Sequence, residues 1–251
     1  MTTPNRLLLA GLLWAMPLAV LAGPGKAQDQ KTPCTEDAMI VFDASGSMAG
    51  NLGQGIMTEK PRIHEVRKAL ARVLPGITRY RKVGLITYGP GPYRQCNVQL
   101  DLRPIPNAAE PIMRVVTGLN PAGKTPLTEA VEQAAEVLSD RSQPGIVVLL
   151  TDGEETCNGD PCGLGKTFVA NGANLTVHVI AFQMKNFTWM GESSVLDVKC
   201  LAQETHGLYI SAENEEDLVK AFRQTLGCPM MSALDAQGHL PDDSKLLGMR
   251  P

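Results

Sequence analysis

The residues best suited to chemistry lie in the run Asp43-Ala44-Ser45-Gly46-Ser47-Met48. The apolar stretch 38–42 leads into it and reads as a short buried strand. One carboxylate and two hydroxyls then follow at alternate positions on a tight turn, with Gly46 giving the backbone room to bend. Oxygen donors of mixed charge suit a hard divalent cation, Mg2+ in particular, which keeps several waters and takes few carboxylates. By itself such a turn is also what any strand-to-helix connection with an Asx hydrogen bond looks like. Two further stretches change the balance. Gly123-Lys124-Thr125-Pro126-Leu127 opens a helix, and Thr151-Asp152-Gly153 ends the most apolar strand of the chain, 146–150. Taken singly, Thr125 fits a helix cap before a first-turn proline and Asp152 a turn residue before glycine.

In order and spacing the three stretches resemble the metal-ion-dependent adhesion site of von Willebrand factor type A domains, and the resemblance covers about residues 34 to 228. It implies that Ser45, Ser47 and Thr125 offer hydroxyls to the metal. Asp43 and Asp152 then act largely through bound waters. The cofactor implied is Mg2+, with Mn2+ or Ca2+ as alternatives. The function implied is metal-dependent protein–protein recognition, in which an acidic side chain of the partner becomes the last metal ligand.

The elements that must hold these residues follow from periodicity. Strands are expected at 38–42, 82–88, 146–151, 176–182 and 207–211. Between 96 and 103, Cys96, Val98, Leu100 and Leu102 alternate with polar residues, the mark of an edge strand wet on one face. The short link 89–92 makes that strand antiparallel to the second. Helices are expected from Pro61 to Leu74, stopped by Pro75-Gly76, then at 109–119, around 127–138, at 162–171, from Ser193 or Ser194 to Thr205, and after Asn214. Alternating strands and helices define an α/β fold: a doubly wound, mostly parallel six-stranded sheet with one antiparallel edge strand and helices on both faces. Ligands in such sheets bind at the carboxyl ends of the strands, where Asp43 and Asp152 both fall.

The domain division expected is a signal peptide at 1–27, a linker at 28–36, the α/β domain at 37–228 and a tail at 229–251. Arg6 precedes an apolar run that gives way to small residues, and cleavage is placed after Ala27 rather than Ala22. The mature chain is then exported, to a periplasm or beyond, without a membrane span. Losing Arg6 and Lys26 but no acid takes the net charge from −3 to −5. That balance, with no basic cluster, gives no support for nucleic-acid binding. Six cysteines in an exported chain point to disulfides. The turn-rich spacer between Cys157 and Cys162 suggests a local bridge. Cys34 and Cys228, at the two ends of the domain, form a second candidate pair, with Cys200 a competitor for either and Cys96 without an easy partner.

His64, His178, His206 and His239 show no ligand spacing, and Glu154 and Glu155 read as a solvated loop edge. The loop after the fifth strand carries Phe187, Trp189 and Met190, an apolar load in a chain with only 4% aromatic residues. It is read as a partner-binding rim on the metal face, against a small packed cluster as the alternative. Three functions are weighed. The first is a non-enzymatic, metal-dependent binding module for a protein that presents an acidic residue. The second is an exported maturation or assembly factor for another enzyme complex. The third is a metal-dependent hydrolase, disfavoured because Ser45 stands where an Asp-x-Asp phosphatase needs a carboxylate.

Overall fold

The computed structural model describes residues 36–50, 61–139, 144–184 and 193–228. Its six strands are β1 (Asp37–Asp43), β2 (Val83–Tyr88), β3 (Val98–Ile105), β4 (Gly145–Thr151), β5 (Leu175–Phe182) and β6 (Tyr209–Ala212). The helices are α1 (Arg62–Ile77), α2 (Ala109–Gly118), α3 (Leu127–Ser139), α4 (Pro161–Ala170), α5 (Ser193–Glu204) and α6 (Glu215–Leu226). A 3-10 turn, Gly46–Ala49, follows β1.

The sheet order is β3-β2-β1-β4-β5-β6. Strands β1, β2, β4, β5 and β6 run parallel, and β3 pairs antiparallel with β2. β1 lies between β2 and β4, so both its edges are paired; helices cover both its faces, and residues 38–42 are all apolar. Its alternation divides the core: Ala38, Ile40 and Phe42 face one layer with α1, α2 and α6, while Met39 and Val41 face the other with α3 and α5. Each large side chain in these layers contributes roughly 1.5–3 kcal/mol relative to exposure.

Three expectations are corrected. First, α1 does not stop at Pro75 but runs to Ile77. Pro75 sits in the last turn, where it removes one hydrogen bond. The apolar stripe continues beyond it, and Ile77 is buried in the same layer as Val73 and Leu74. Second, β3 does not alternate strictly. Its register against β2 slips between the Val83 and Leu85 pairs and again between the Leu85 and Ile86 pairs. Leu102 therefore packs against one layer and Val98 against the other, while Leu100 is exposed. Asp101, expected on the wet face, is half-buried and accepts a hydrogen bond from the Thr87 hydroxyl at 2.8 Å.

Third, Cys157 and Cys162 do not bridge each other. Cys157 pairs with Cys96 and Cys162 with Cys200. Asp160 caps α4 by accepting from the Gly163 amide, and Pro161 opens the helix. Cys162 thus belongs to the first turn of α4 and meets α5, while Cys157 stays in the preceding loop and meets the β2–β3 connection. Cys96, expected to lack a partner, therefore has one. Cys200 is taken by α4 rather than by a chain terminus. Cys228 is disulfide-bonded, and Cys34 lies outside the described residues.

His178 has a structural role. Its Nδ1 accepts from the Leu208 amide at 3.0 Å, and burial, with Arg81 nearby, lowers its pKa to about 4. The ring is therefore neutral when folded, against about 6.5 unfolded. Its contribution is complete above pH 6.5 and is lost as the pH falls towards 4, because the unfolded chain then binds the extra proton. Urea unfolding at stepped pH should show a smaller loss of stability across this window for His178→Gln than for the native chain, by about 2 kcal/mol after allowing for partial exposure. Superimposable pH profiles would remove this role from His178.

Candidate metal centre

β1 and β4 are adjacent and in register from Asp37↔Gly145 to Phe42↔Leu150. Asp43 follows Phe42 directly and Asp152 stands one residue beyond Thr151, so both aspartates are delivered to the carboxyl ends of two adjacent central strands. Both carboxylates are fully buried. Asp43 Oδ1 accepts the Ser45 amide at 2.7 Å, which closes the Asx-type turn. Its Oδ2 accepts from the Thr151 hydroxyl at 3.1 Å and the Asp152 amide at 3.4 Å. Ser45 and Ser47 share a hydroxyl hydrogen bond of 3.0 Å, and Ser47 donates to Asp152 Oδ1 at 2.5 Å. Asp43, Ser45, Ser47 and Asp152 thus form one connected cluster. Thr125 lines the same cleft as Ser45 and Ser47.

The electrostatics follow from burial. Asp43 is pushed up to about 7, first by desolvation and then by the neighbouring Asp152 charge, against the hydrogen bonds from Ser45. Asp152 is also raised by burial, but Ser47 and Arg62 oppose the shift. Two buried carboxylates repel one another beside a set of neutral hydroxyls. This donor set fits a hard divalent cation, whose charge would favour the ionised form of both acids.

Backbone contacts position the cluster. Ala44 donates to Tyr88 O, Gly46 to Gly123 O, Ala122 to Ala44 O and Gly123 to Gly89 O. The loops after β1, after β2 and before α3 therefore touch through main chain alone. Gly89, at φ 75°, is required for this contact, because a Cβ there would stand 2.7 Å from the Ser45 backbone.

Three residues at this end of the sheet were not singled out from the sequence or were read differently. Arg62, the first residue of α1, bonds Asp152 Oδ2 at 2.9 Å and Gln183 Oε1 at 3.1 Å. An arginine at a helix N-terminus runs against the helix dipole, and that conflict was the available signal. Glu155 is not a solvated loop edge. Its Oε2 accepts from the Thr128 amide and hydroxyl at 2.9 and 2.7 Å, and its Oε1 accepts from the Cys157 amide at 2.7 Å. It caps α3 from another loop, in the role that the local sequence suggested for Thr125. Tyr93 lines the cleft and is 76% exposed. Phe187, Trp189 and Met190 lie outside the described residues, while Met184, at the start of their loop, is buried against the α3–α5 layer.

Residues 38–155 match the family model described as the von Willebrand factor type A domain. With the sheet order above, the described residues have the von Willebrand factor type A fold. The chain is similar to the uncharacterized protein YwmC of Bacillus subtilis (strain 168), at 25% identity over 228 residues, covering 87% of this chain and 94% of that one. Among solved structures it is similar to the conserved hypothetical protein BatB from Bacteroides thetaiotaomicron, with TM-score 0.56 and 17% identity over 80% of this chain and 99% of that one. It is similar also to the vWF domain of the type V pili tip protein Mfa5 from Porphyromonas gingivalis, with TM-score 0.57 and 11% identity over 84% and 99%.

Glu155→Ala removes the acceptor for two amides and a hydroxyl. It should lower unfolding free energy by about 1–2 kcal/mol, as loss of a helix cap does. Denaturant titration showing an unchanged midpoint and slope would mean that water replaces the carboxylate without loss.

Proposed function

We propose that this protein is a divalent-metal-dependent protein-binding module in which the metal takes an acidic side chain of the partner as its last ligand. The observation that carries this reading is the hydrogen-bonded cluster of Asp43, Ser45, Ser47 and Asp152 at two adjacent strand ends, beneath a cleft that Ser45, Ser47 and Thr125 line. Ser45, Ser47 and Thr125 would hold the ion directly, and Asp43 and Asp152 largely through water. A cation held mostly by neutral hydroxyls supplies residual Lewis acidity towards an incoming carboxylate. Mg2+ is the proposed ion, with Mn2+ and Ca2+ as alternatives. Von Willebrand type A domains in general bind other proteins, which agrees with a binding role.

Both carboxylates of the cluster are already engaged, Asp43 by Ser45 and Thr151, Asp152 by Ser47 and Arg62. This supports a binding module over a hydrolase with a carboxylate nucleophile. An oxidising, extracytoplasmic setting agrees with the Cys96–Cys157 and Cys162–Cys200 disulfides and with the leader read at 1–27. In that setting the partner is either a surface protein or an enzyme complex whose maturation this chain assists. No helix among the described residues is long and apolar enough to cross a membrane.

Calorimetry on chelator-treated protein should detect Mg2+ binding that Asp43→Ala and Thr125→Ala each weaken at least tenfold, while circular dichroism shows the fold retained. A pull-down from the periplasmic or secreted fraction should recover a partner with Mg2+ and lose it with chelator. Unchanged metal affinity and partner recovery in both variants would overturn the reading.

A further inference from the structure

The cleft over the metal cluster is larger than one carboxylate needs. Its volume is about 520 Å³, within the range of pockets that hold a whole ligand or several side chains. Its wall has a one-sided charge. Arg62 and Lys124 line it, Tyr93 stands at its rim, and no acidic side chain is among the described residues that line it. Asp43 and Asp152 lie beneath this surface, fully buried. The protein as a whole carries a net charge of −3, so a cation-lined opening is a local reversal of sign.

The rim is also rigidly presented. The β2–β3 connection that carries Tyr93 is closed by Gly89 N to Asn97 O at 2.9 Å and by Asn97 Nδ2 to Pro90 O at 3.1 Å. Gln95 O accepts the Lys124 amide at 2.9 Å, which joins the connection to the segment that holds Thr125. The Cys96–Cys157 disulfide ties the same connection to the loop after β4, where Thr156 accepts the Thr125 amide at 2.8 Å. Arg94, on the same connection, lies over the Tyr93 ring at 5.3 Å. Preorganised cations complement acidic side chains, and an exposed aromatic ring offers area for packing against a peptide.

We propose that the cleft recognises a segment of a partner protein bearing two acidic side chains, one for the metal and a second for the cationic wall formed by Lys124 and Arg62, with Tyr93 packing against the peptide between them. The proposal rests on the metal-dependent reading above and adds the partner's second acidic residue. Arg62 is partly committed to Asp152, whereas Lys124 is exposed, so Lys124 is the residue whose removal isolates the added contact.

The test uses isotope-labelled full chain and chemical-shift titration with two synthetic peptides, acetyl-Gly-Asp-Gly-Asp-Gly-amide and acetyl-Gly-Asp-Gly-Asn-Gly-amide, with Mg2+ and with chelator. In Mg2+ the two-acid peptide should bind roughly three- to tenfold more tightly than the one-acid peptide. Lys124→Gln should abolish that ratio while leaving Mg2+ affinity and one-acid binding as they were. Tyr93→Ala should weaken both peptides. Equal Mg2+-dependent binding of the two peptides, unaffected by Lys124→Gln, would overturn the proposal and leave the metal reading intact. Binding of either peptide that is the same in chelator would overturn both. A preference for two acids that persists in Lys124→Gln would overturn the assignment to this wall.

Discussion

Two carboxylates buried at the ends of neighbouring parallel strands set the terms for this molecule. The pairing of β1 with β4 places Asp43 and Asp152 together, and burial makes their charges costly. The surrounding groups answer that cost one by one: the Ser45 amide, the hydroxyls of Thr151 and Ser47, and the guanidinium of Arg62. Even so, Asp43 sits well above the usual carboxylate range. Two buried carboxylates beside the neutral hydroxyls of Ser45 and Ser47 are the donor set on which the proposed cation site rests.

The rest of the upper surface can be understood as the frame for this pair. Main-chain hydrogen bonds link the loops after β1, after β2 and before α3, and Gly89 permits their closest approach. Glu155 ties the loop after β4 to the start of α3, and the Cys96–Cys157 bridge ties that loop to the β2–β3 connection. These contacts join segments distant in sequence, so they restrain the positions of Ser45, Thr125 and Asp152 relative to one another. A binding site that depends on oxygen donors from separate loops needs such restraint, since each loop ordered in advance is entropy not lost on binding.

Sequence reasoning reached the sheet, and the strand ends at which Asp43 and Asp152 stand, because both rest on local signals. The two-face apolarity of residues 38–42 and 146–150 reports strands covered on both sides, and a carboxylate directly after such a strand must emerge at its carboxyl end. It failed where distant segments decide the outcome. Pro75 looked like a stop, yet the burial of Ile77 carries α1 past it. Leu100 looked like a core residue, yet the slipped register against β2 leaves it at the surface.

By itself, then, the order of residues determined the α/β alternation, the strand ends at which chemistry is possible, and the oxygen-rich character of that chemistry, because periodicity and turn composition act over a few residues. Only the tertiary structure decided the rest. Cys157 had a near neighbour in Cys162, but the Asp160 cap and Pro161 put the two in different elements and gave each a remote partner. Glu155 and Arg62 carry no local mark of their roles. One caps a helix that begins 28 residues earlier in the chain, and the other neutralises an acid 90 residues away. Such partners are selected by the packing of the sheet against its helices, which brings charges together over distances that no short sequence pattern spans.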